Sequence, residues 1–210
     1  MLLYAISGTC SLAPHILLEH IGVPFEVKLL DRDSGENKDA AYLAVNPKGK
    51  VPALAVDGAV ILENVAIQMY LADRFAGLLL APTNPFQRAH WMAALTWMSN
   101  TVHPNFRRYR RPEYFTSDEK ARPNVSVSGK KDFIESMQDL DHRLNEQRWL
   151  LGDQFSTADV YAHVFHLWAL GAKFPIEQLN NLRRHGQAVM GMSATLRAFK
   201  REGISTNLFD

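Results

Sequence analysis

The chain carries a single cysteine, Cys10, in 210 residues. One thiol excludes an internal disulfide and a multi-cysteine metal site. It also excludes a dithiol cycle within one chain. Charge of one sign is missing too, since 23 Lys and Arg face 22 Asp and Glu, for a net charge of +1. That balance gives no support for a nucleic-acid or membrane-surface partner. No apolar run reaches the ~20 residues that cross a bilayer. No basic segment followed by an apolar core, the mark of a secretory leader, stands at the start. There is no internal repeat and no low-complexity tract. A reducing cytoplasm is the resulting expectation. What is present, 47% hydrophobic and 21% charged residues, is ordinary for a globular protein. The length suits one large domain or two small ones.

The lone cysteine lies at a suggestive place. Leu2 to Ile6 is a short apolar run closed by the turn residues Ser7-Gly8-Thr9, which reads as a buried strand. Leu12, Ile16, Leu17 and Ile21 then recur at helical spacing, with Pro14 in the first turn, where its missing N–H costs nothing. Cys10 and Ser11 therefore fall where a strand ends and a helix begins. Partial positive charge at that end is expected to lower the thiol pKa and make Cys10 a better nucleophile. Ser11 has the chemistry of an N-cap. A buried, inert cysteine is the competing reading, because free cysteine is among the most buried residue types.

Phe25 to Leu30 alternates and predicts a second strand, so the first segments form a parallel βαβ unit. Asp31 to Asp39 is polar and reads as a loop, and Ala40 to Val45 as a turn or two of helix. Val51 to Val56 and Ala59 to Leu62 flank Asp57-Gly58, the clearest hairpin signal in the chain. Pro52 belongs at that strand's start. Asn64 has the chemistry of an N-cap for a helix ending near Gly77. Residues 79–85 read as a linker, separating an α/β domain over 1–78 from an all-helical domain over 86–210. In the second domain, helices are expected at Phe86 to Tyr109, with Pro104 as a kink, and at Asn124 to Arg148. A buried helix is expected at Ser156 to Leu170, and shorter ones at Ile176 to His185 and Gln187 to Lys200. Ser156 and Asp159 have capping-box spacing, a structural role.

Four stretches carry a resemblance. They are Cys10 to His15, Asn46 to Leu54, Glu63 to Ile67 and Phe155 to Asp159. Together, in this order, they resemble the glutathione transferases, specifically the bacterial beta class, and they span both halves of the chain. The resemblance implies a thioredoxin-like N-terminal domain plus an all-α C-terminal domain, a homodimer, and glutathione as co-substrate with no metal. It implies Cys10 and Ser11 beside the glutathione sulfur. It implies a cis Val51–Pro52 bond, with the Val51 backbone pairing with the cysteinyl part of glutathione. It implies Glu63 and Asn64 at the γ-glutamyl end, and Asn100 and His103 near the ligand, reaching the neighbouring subunit's glutathione. Positions three apart on a helix share a face, which suits Asn100 and His103.

This sequence departs from the family pattern in places. Asn64 stands where serine is usual, and Thr96 where an asparagine is usual. The loop after the second strand offers Arg32 in place of a lysine, and no role is carried over to it. Tyr4 reads as a core aromatic, and His15 and His20 as packing or surface residues of the first helix. Arg107-Arg108-Tyr109-Arg110-Arg111 reads as a solvated helix face, its alternative being an anion-attracting patch. The resulting expectation is a transferase that conjugates the glutathione thiolate to small electrophiles, with thiol–disulfide exchange at Cys10 as a second chemistry. The alternative is a non-catalytic carrier or scaffold that keeps the fold, favoured by the Asn64 and Thr96 departures.

Overall fold

A computed structural model describes residues 1–206. Its strands all lie early in the chain, and everything after them is helical. Strand β1 (Leu2–Ala5) leads through helix α1 (Leu12–Ile21) to β2 (Glu26–Leu29). Gly22 ends α1 in the left-handed conformation, φ 76°, and its N–H returns to the Leu18 carbonyl, the usual glycine stop. β1 and β2 pair in parallel, Leu3 opposite Val27, as a crossover helix requires. After the short α2 (Ala40–Leu43) come β3 (Ala53–Val56) and β4 (Ala59–Leu62). Their connection, Asp57-Gly58, has φ of 52° and 79°, the pair of positive values a two-residue hairpin favours. The sheet order is β2-β1-β3-β4, with β3 antiparallel to both neighbours.

Helix α3 (Asn64–Arg74) covers one face of this sheet together with α1. The segment that follows is anchored rather than loose. Leu80 and Ala81 are buried, and the Leu80 carbonyl accepts from Thr157 N–H at 3.0 Å. The long helix expected from Phe86 to Tyr109 is a continuous rod of three parts. They are α4 (Pro85–Trp97), a π turn over Met98–Val102, and α5 (His103–Arg110). Pro104 explains the π turn. It has no N–H for the Asn100 carbonyl, and its ring would clash there, so the chain widens one turn at that point.

The remaining helices are α6 (Arg122–Arg143), α7 (Thr157–Gly171), α8 (Asn180–Met190) and α9 (Ser193–Glu202). Helix α7 is buried almost throughout, as its apolar sequence predicts. It is started by Asp159, whose Oδ2 accepts from Ser156 N–H at 2.8 Å and from Ser156 Oγ at 2.9 Å. Two helix positions differ from expectation. Residues 176–179 form no helix, and α8 and α9 begin later than their apolar spacing suggested. Leu179 and Met192, not polar residues, occupy the N-cap positions there, so no capping signal marked the starts.

Candidate functional site

Several segments of the N-terminal unit converge on Cys10. The loop between β1 and α1 carries it. Its Sγ donates to the Val51 carbonyl at 3.6 Å, and the Val51–Pro52 bond is cis. The Asn64 side chain, at the start of α3, donates from Nδ2 to the Cys10 carbonyl at 2.6 Å. Gln68, one turn on, donates to Asn64 Oδ1 at 2.6 Å and fixes that amide's orientation.

The thiol's electrostatics overturn one expectation. Burial pushes the Cys10 pKa up to about 11. The Asn64 amide and the positive charges of Arg32 and Arg107 pull it down, without offsetting the loss of water. The helix-end argument assumed a solvated thiol, whereas Cys10 is only 9% exposed. Loss of water disfavours the thiolate more strongly than the partial charges favour it.

Two expected caps are also corrected. Ser11 is fully buried and makes no cap hydrogen bond. Its Oγ accepts from Ile6 N–H at 3.1 Å, lies 3.2 Å from the Ile6 carbonyl and 2.8 Å from Thr9 Oγ1. It ties the loop to the end of β1. Asn64 is the first residue inside α3, not its cap. Glu63 precedes it with φ 71° and ψ 128°. That is a conformation glycine takes easily and glutamate does not. It swings the Glu63 carboxylate into solvent, 70% exposed, where Lys48 Nζ meets it at 2.9 Å.

The facing wall comes from the helical part. His103, on α5, packs edge-on against Trp168 at 5.1 Å between centroids and against Phe165 at 6.1 Å. Burial, with Arg107 and Lys50 nearby, holds its pKa down at about 4, so the imidazole is neutral at pH 7. Trp168 donates from Nε1 to the Gly8 carbonyl at 2.9 Å. Tyr161 is buried among these groups, hydrogen-bonded to Ser99, and burial raises its pKa.

Asn100 does not share this face. It is exposed, in the π turn, while Ser99 turns toward Tyr161. Bonding from i to i+5 widens the turn, so His103 aligns with Ser99 and not with Asn100. Thr96 is exposed and returns its hydroxyl to the carbonyls of Met92 and Ala93. The basic run divides as well. Arg108 pairs with Asp132 at 2.6 Å and Arg111 with Glu113 at 3.8 Å. Arg107 acts electrostatically on both Cys10 and His103, so it is not merely a solvated face. Its spacing of four from His103 was the signal that would have placed it.

The loop bearing Cys10 is held from the far end of the chain. Glu202 Oε2 accepts from Gly8 N–H at 2.9 Å, its Oε1 lies 2.7 Å from His15 Nδ1, and its carbonyl accepts from Ser7 Oγ at 2.8 Å. Among the described residues, no group of three or more His, Cys, Asp or Glu is placed to hold a metal ion. None of the helices among them is long and apolar enough to cross a membrane.

The family model "Glutathione S-transferase, N-terminal domain" matches residues 1–73. Glutathione S-transferase GstA of Escherichia coli O157:H7 is 33% identical over 208 residues, covering 97% of this chain and all of the relative. The chain belongs to the glutathione S-transferase family. The transferase's fold is likewise that of solved family members. A sphingomonad glutathione S-transferase complexed with glutathione is 28% identical, with a TM-score of 0.86, covering 98% of this chain and 100% of that one. The beta-class enzyme of Sphingomonas chungbukensis is 29% identical with the same TM-score and coverage. The thioredoxin-like sheet followed by a helical region is therefore the glutathione transferase fold, and the chain is a transferase rather than a mere scaffold.

Proposed function

We propose that glutathione lies along the N-terminal unit, residues 1–78, and that a small electrophile docks against the helical unit, residues 86–210. The convergence of Cys10, Val51 and Asn64 is the observation that carries this reading. Val51 offers backbone groups to the cysteinyl part of glutathione at the start of β3, next to Pro52. Its carbonyl has a second lone pair beyond the one facing Cys10. The exposed Glu63 carboxylate suits the γ-glutamyl ammonium, and the N-terminal amides of α3, from Asn64 on, suit the adjacent carboxylate. Positive charge on Arg32, Lys50 and Arg107 favours a thiolate in the cleft.

In conjugation, the glutathione sulfur forms a bond to the electrophilic carbon, and the leaving group departs with its electron pair. In exchange, the Cys10 thiolate attacks the glutathione sulfur of a mixed disulfide between glutathione and a second thiol, and that second thiol leaves as its thiolate. Free glutathione then attacks the glutathione sulfur held on Cys10, which frees Cys10 and releases oxidised glutathione. The raised Cys10 pKa leaves little thiolate for exchange at neutral pH. A homodimer working in the cytoplasm completes the reading, because reduced glutathione is the form consumed. Calorimetry with glutathione, followed by turnover of 1-chloro-2,4-dinitrobenzene, tests it. Saturable binding with enzyme-dependent conjugate formation is expected, and binding without turnover would return the chain to the carrier class.

A further inference from the structure

The helical side facing the Cys10 loop brings together an aromatic platform from α5 and α7 and a guanidinium on α5. Phe106 stacks on Trp168 at 4.7 Å between centroids, with planes 24° apart, and both rings keep part of their surface open. Trp168 is pinned to the Gly8 carbonyl, two residues from Cys10, so the platform borders the reacting sulfur. One residue beyond Phe106, the Arg107 guanidinium lies 4.6 Å over the Tyr114 ring. Stacking covers a face of the guanidinium and leaves its in-plane N–H donors at the edge, the geometry that accepts a carboxylate bidentately. Of its neighbours, Arg108 pairs with Asp132 and Arg111 with Glu113, while Arg110 is exposed. Among the described residues, Arg107 has no carboxylate within ion-pair distance. Arg107 stands four residues after His103 on α5 and so shares the helix face that His103 packs against Trp168, consistent with its charge acting on both His103 and the Cys10 thiol. A free cation beside a flat apolar surface selects a ligand with the complementary pair of features.

We propose that the second substrate is an aromatic electrophile that carries a carboxylate, its ring on Phe106 and Trp168 and its carboxylate on Arg107. This rests on the glutathione placement given above. The glutathione thiolate forms a C–S bond at the ring carbon that bears a halide. The halide leaves with the electrons of its own bond, and the thiol proton passes to solvent. Arg107 takes no part in these bonds and acts on affinity and orientation of the arene.

The test compares 4-chloro-3,5-dinitrobenzoate with 4-chloro-3,5-dinitrobenzamide on the full chain. Each kcat/KM is divided by the uncatalysed rate constant with glutathione, which removes intrinsic ring reactivity. The benzoate-to-benzamide ratio is expected to exceed ~10 in the unmodified protein, the scale of one charged hydrogen-bonded pair. It should fall toward unity in Arg107→Ala and remain well above unity in Arg107→Lys. A ratio near unity in the unmodified protein, with both arenes turned over, overturns the inference and leaves the transferase reading standing. Equal losses for both arenes in Arg107→Ala, with a raised KM for glutathione, also overturn it, because Arg107 would then hold the peptide. Turnover of neither arene removes the conjugation reading and this inference with it.

Discussion

The Asn64 amide donates to the Cys10 carbonyl at 2.6 Å, joining the first turn of α3 to the loop that presents the thiol. Both partners are buried, and Gln68 Nε2 relies on the same asparagine as its acceptor. Asn64→Ala therefore leaves the Gln68 amide without its acceptor, and the Cys10 carbonyl keeps only the longer bond from Ala13 N–H, at 3.3 Å. Each buried polar group left unpaired costs roughly 1–3 kcal/mol. Urea denaturation should show a lower midpoint with an unchanged slope, and kcat/KM for conjugation should fall as well. Serine, which is shorter but still polar, should recover part of the stability. Unchanged stability in the alanine variant would show the contact to be incidental.

Reactivity of Cys10 should follow its buried, raised pKa of about 11. At pH 7 only about one thiol in ten thousand is ionised. Iodoacetamide labelling of the free protein should therefore be slow at pH 7 and rise roughly tenfold per pH unit up to pH 10. Mass spectrometry gives an unambiguous reading, since the chain has no other cysteine. A plateau in labelling rate below pH 8 would contradict the burial argument and restore the helix-end expectation.

Glu63 is held at φ 71° and ψ 128° with its carboxylate in solvent. Such backbone strain in a non-glycine residue costs on the order of 1–3 kcal/mol. Two substitutions separate its parts. Glu63→Ala keeps the strain and removes the carboxylate, so glutathione binding should weaken by about 1.5–3 kcal/mol with little change in stability. Glu63→Gly removes both, so it should bind glutathione as weakly as the alanine variant yet unfold at higher urea. Equal stability of the two variants would mean that the strain is absent in solution.

Much of the architecture was legible because local chemistry and tertiary demand agree. Asp57-Gly58 forms the hairpin its residues ask for, and the apolar run of α7 is the buried helix its composition implies. The site was less legible. Ser11 and Asn64 both have N-cap chemistry, but each bonds outside its own helix, Ser11 back to Ile6 at the end of β1 and Asn64 across the fold to Cys10. No local pattern encodes that choice. The Cys10 pKa failed for a related reason. Helix-end charge can be read from position, whereas desolvation depends on what packs above the thiol. The π turn ahead of Pro104 shows a third limit, since the same proline permits either a kink or a widened turn.

Acid should weaken the fold through histidines that packing keeps neutral. Burial holds His103 and His166 at about 4, aided by Arg107 and Lys50 at His103 and by His185 at His166. Unfolded, each titrates near 6.5. Between those values the unfolded chain binds protons that the folded chain refuses, so stability falls as pH falls. The contribution is complete above pH 6.5 and lost on descent through 4. Each residue adds at most about 1.4 kcal/mol per pH unit to the slope. Urea midpoints at pH 7, 6 and 5 should decline steadily, and His103→Gln should flatten that decline. An equal slope in the variant would assign the acid sensitivity elsewhere.

His103 lies against Trp168 and Phe165 of its own chain, and that tryptophan holds the Gly8 carbonyl beside Cys10. Asn100 is turned outward by the π turn and lies exposed. The proposal is that His103 acts in its own subunit's cleft, while Asn100 is free to reach a partner's glutathione. Heterodimers distinguish the two, with thiol–disulfide exchange as the assay, because Cys10→Ala abolishes it outright. Pairing a Cys10→Ala chain with a His103→Ala chain gives two sites with one lesion each, so activity should not exceed the mean of the parent homodimers. Pairing Cys10→Ala with Asn100→Ala puts both lesions in one site and leaves the other intact. That mixture should recover about half of the unmodified activity, as two-fold symmetry requires. Recovery in the His103 pairing would instead place the imidazole in the partner's site. A monomer by light scattering at micromolar concentration would end the shared-site idea for Asn100 before any mixing.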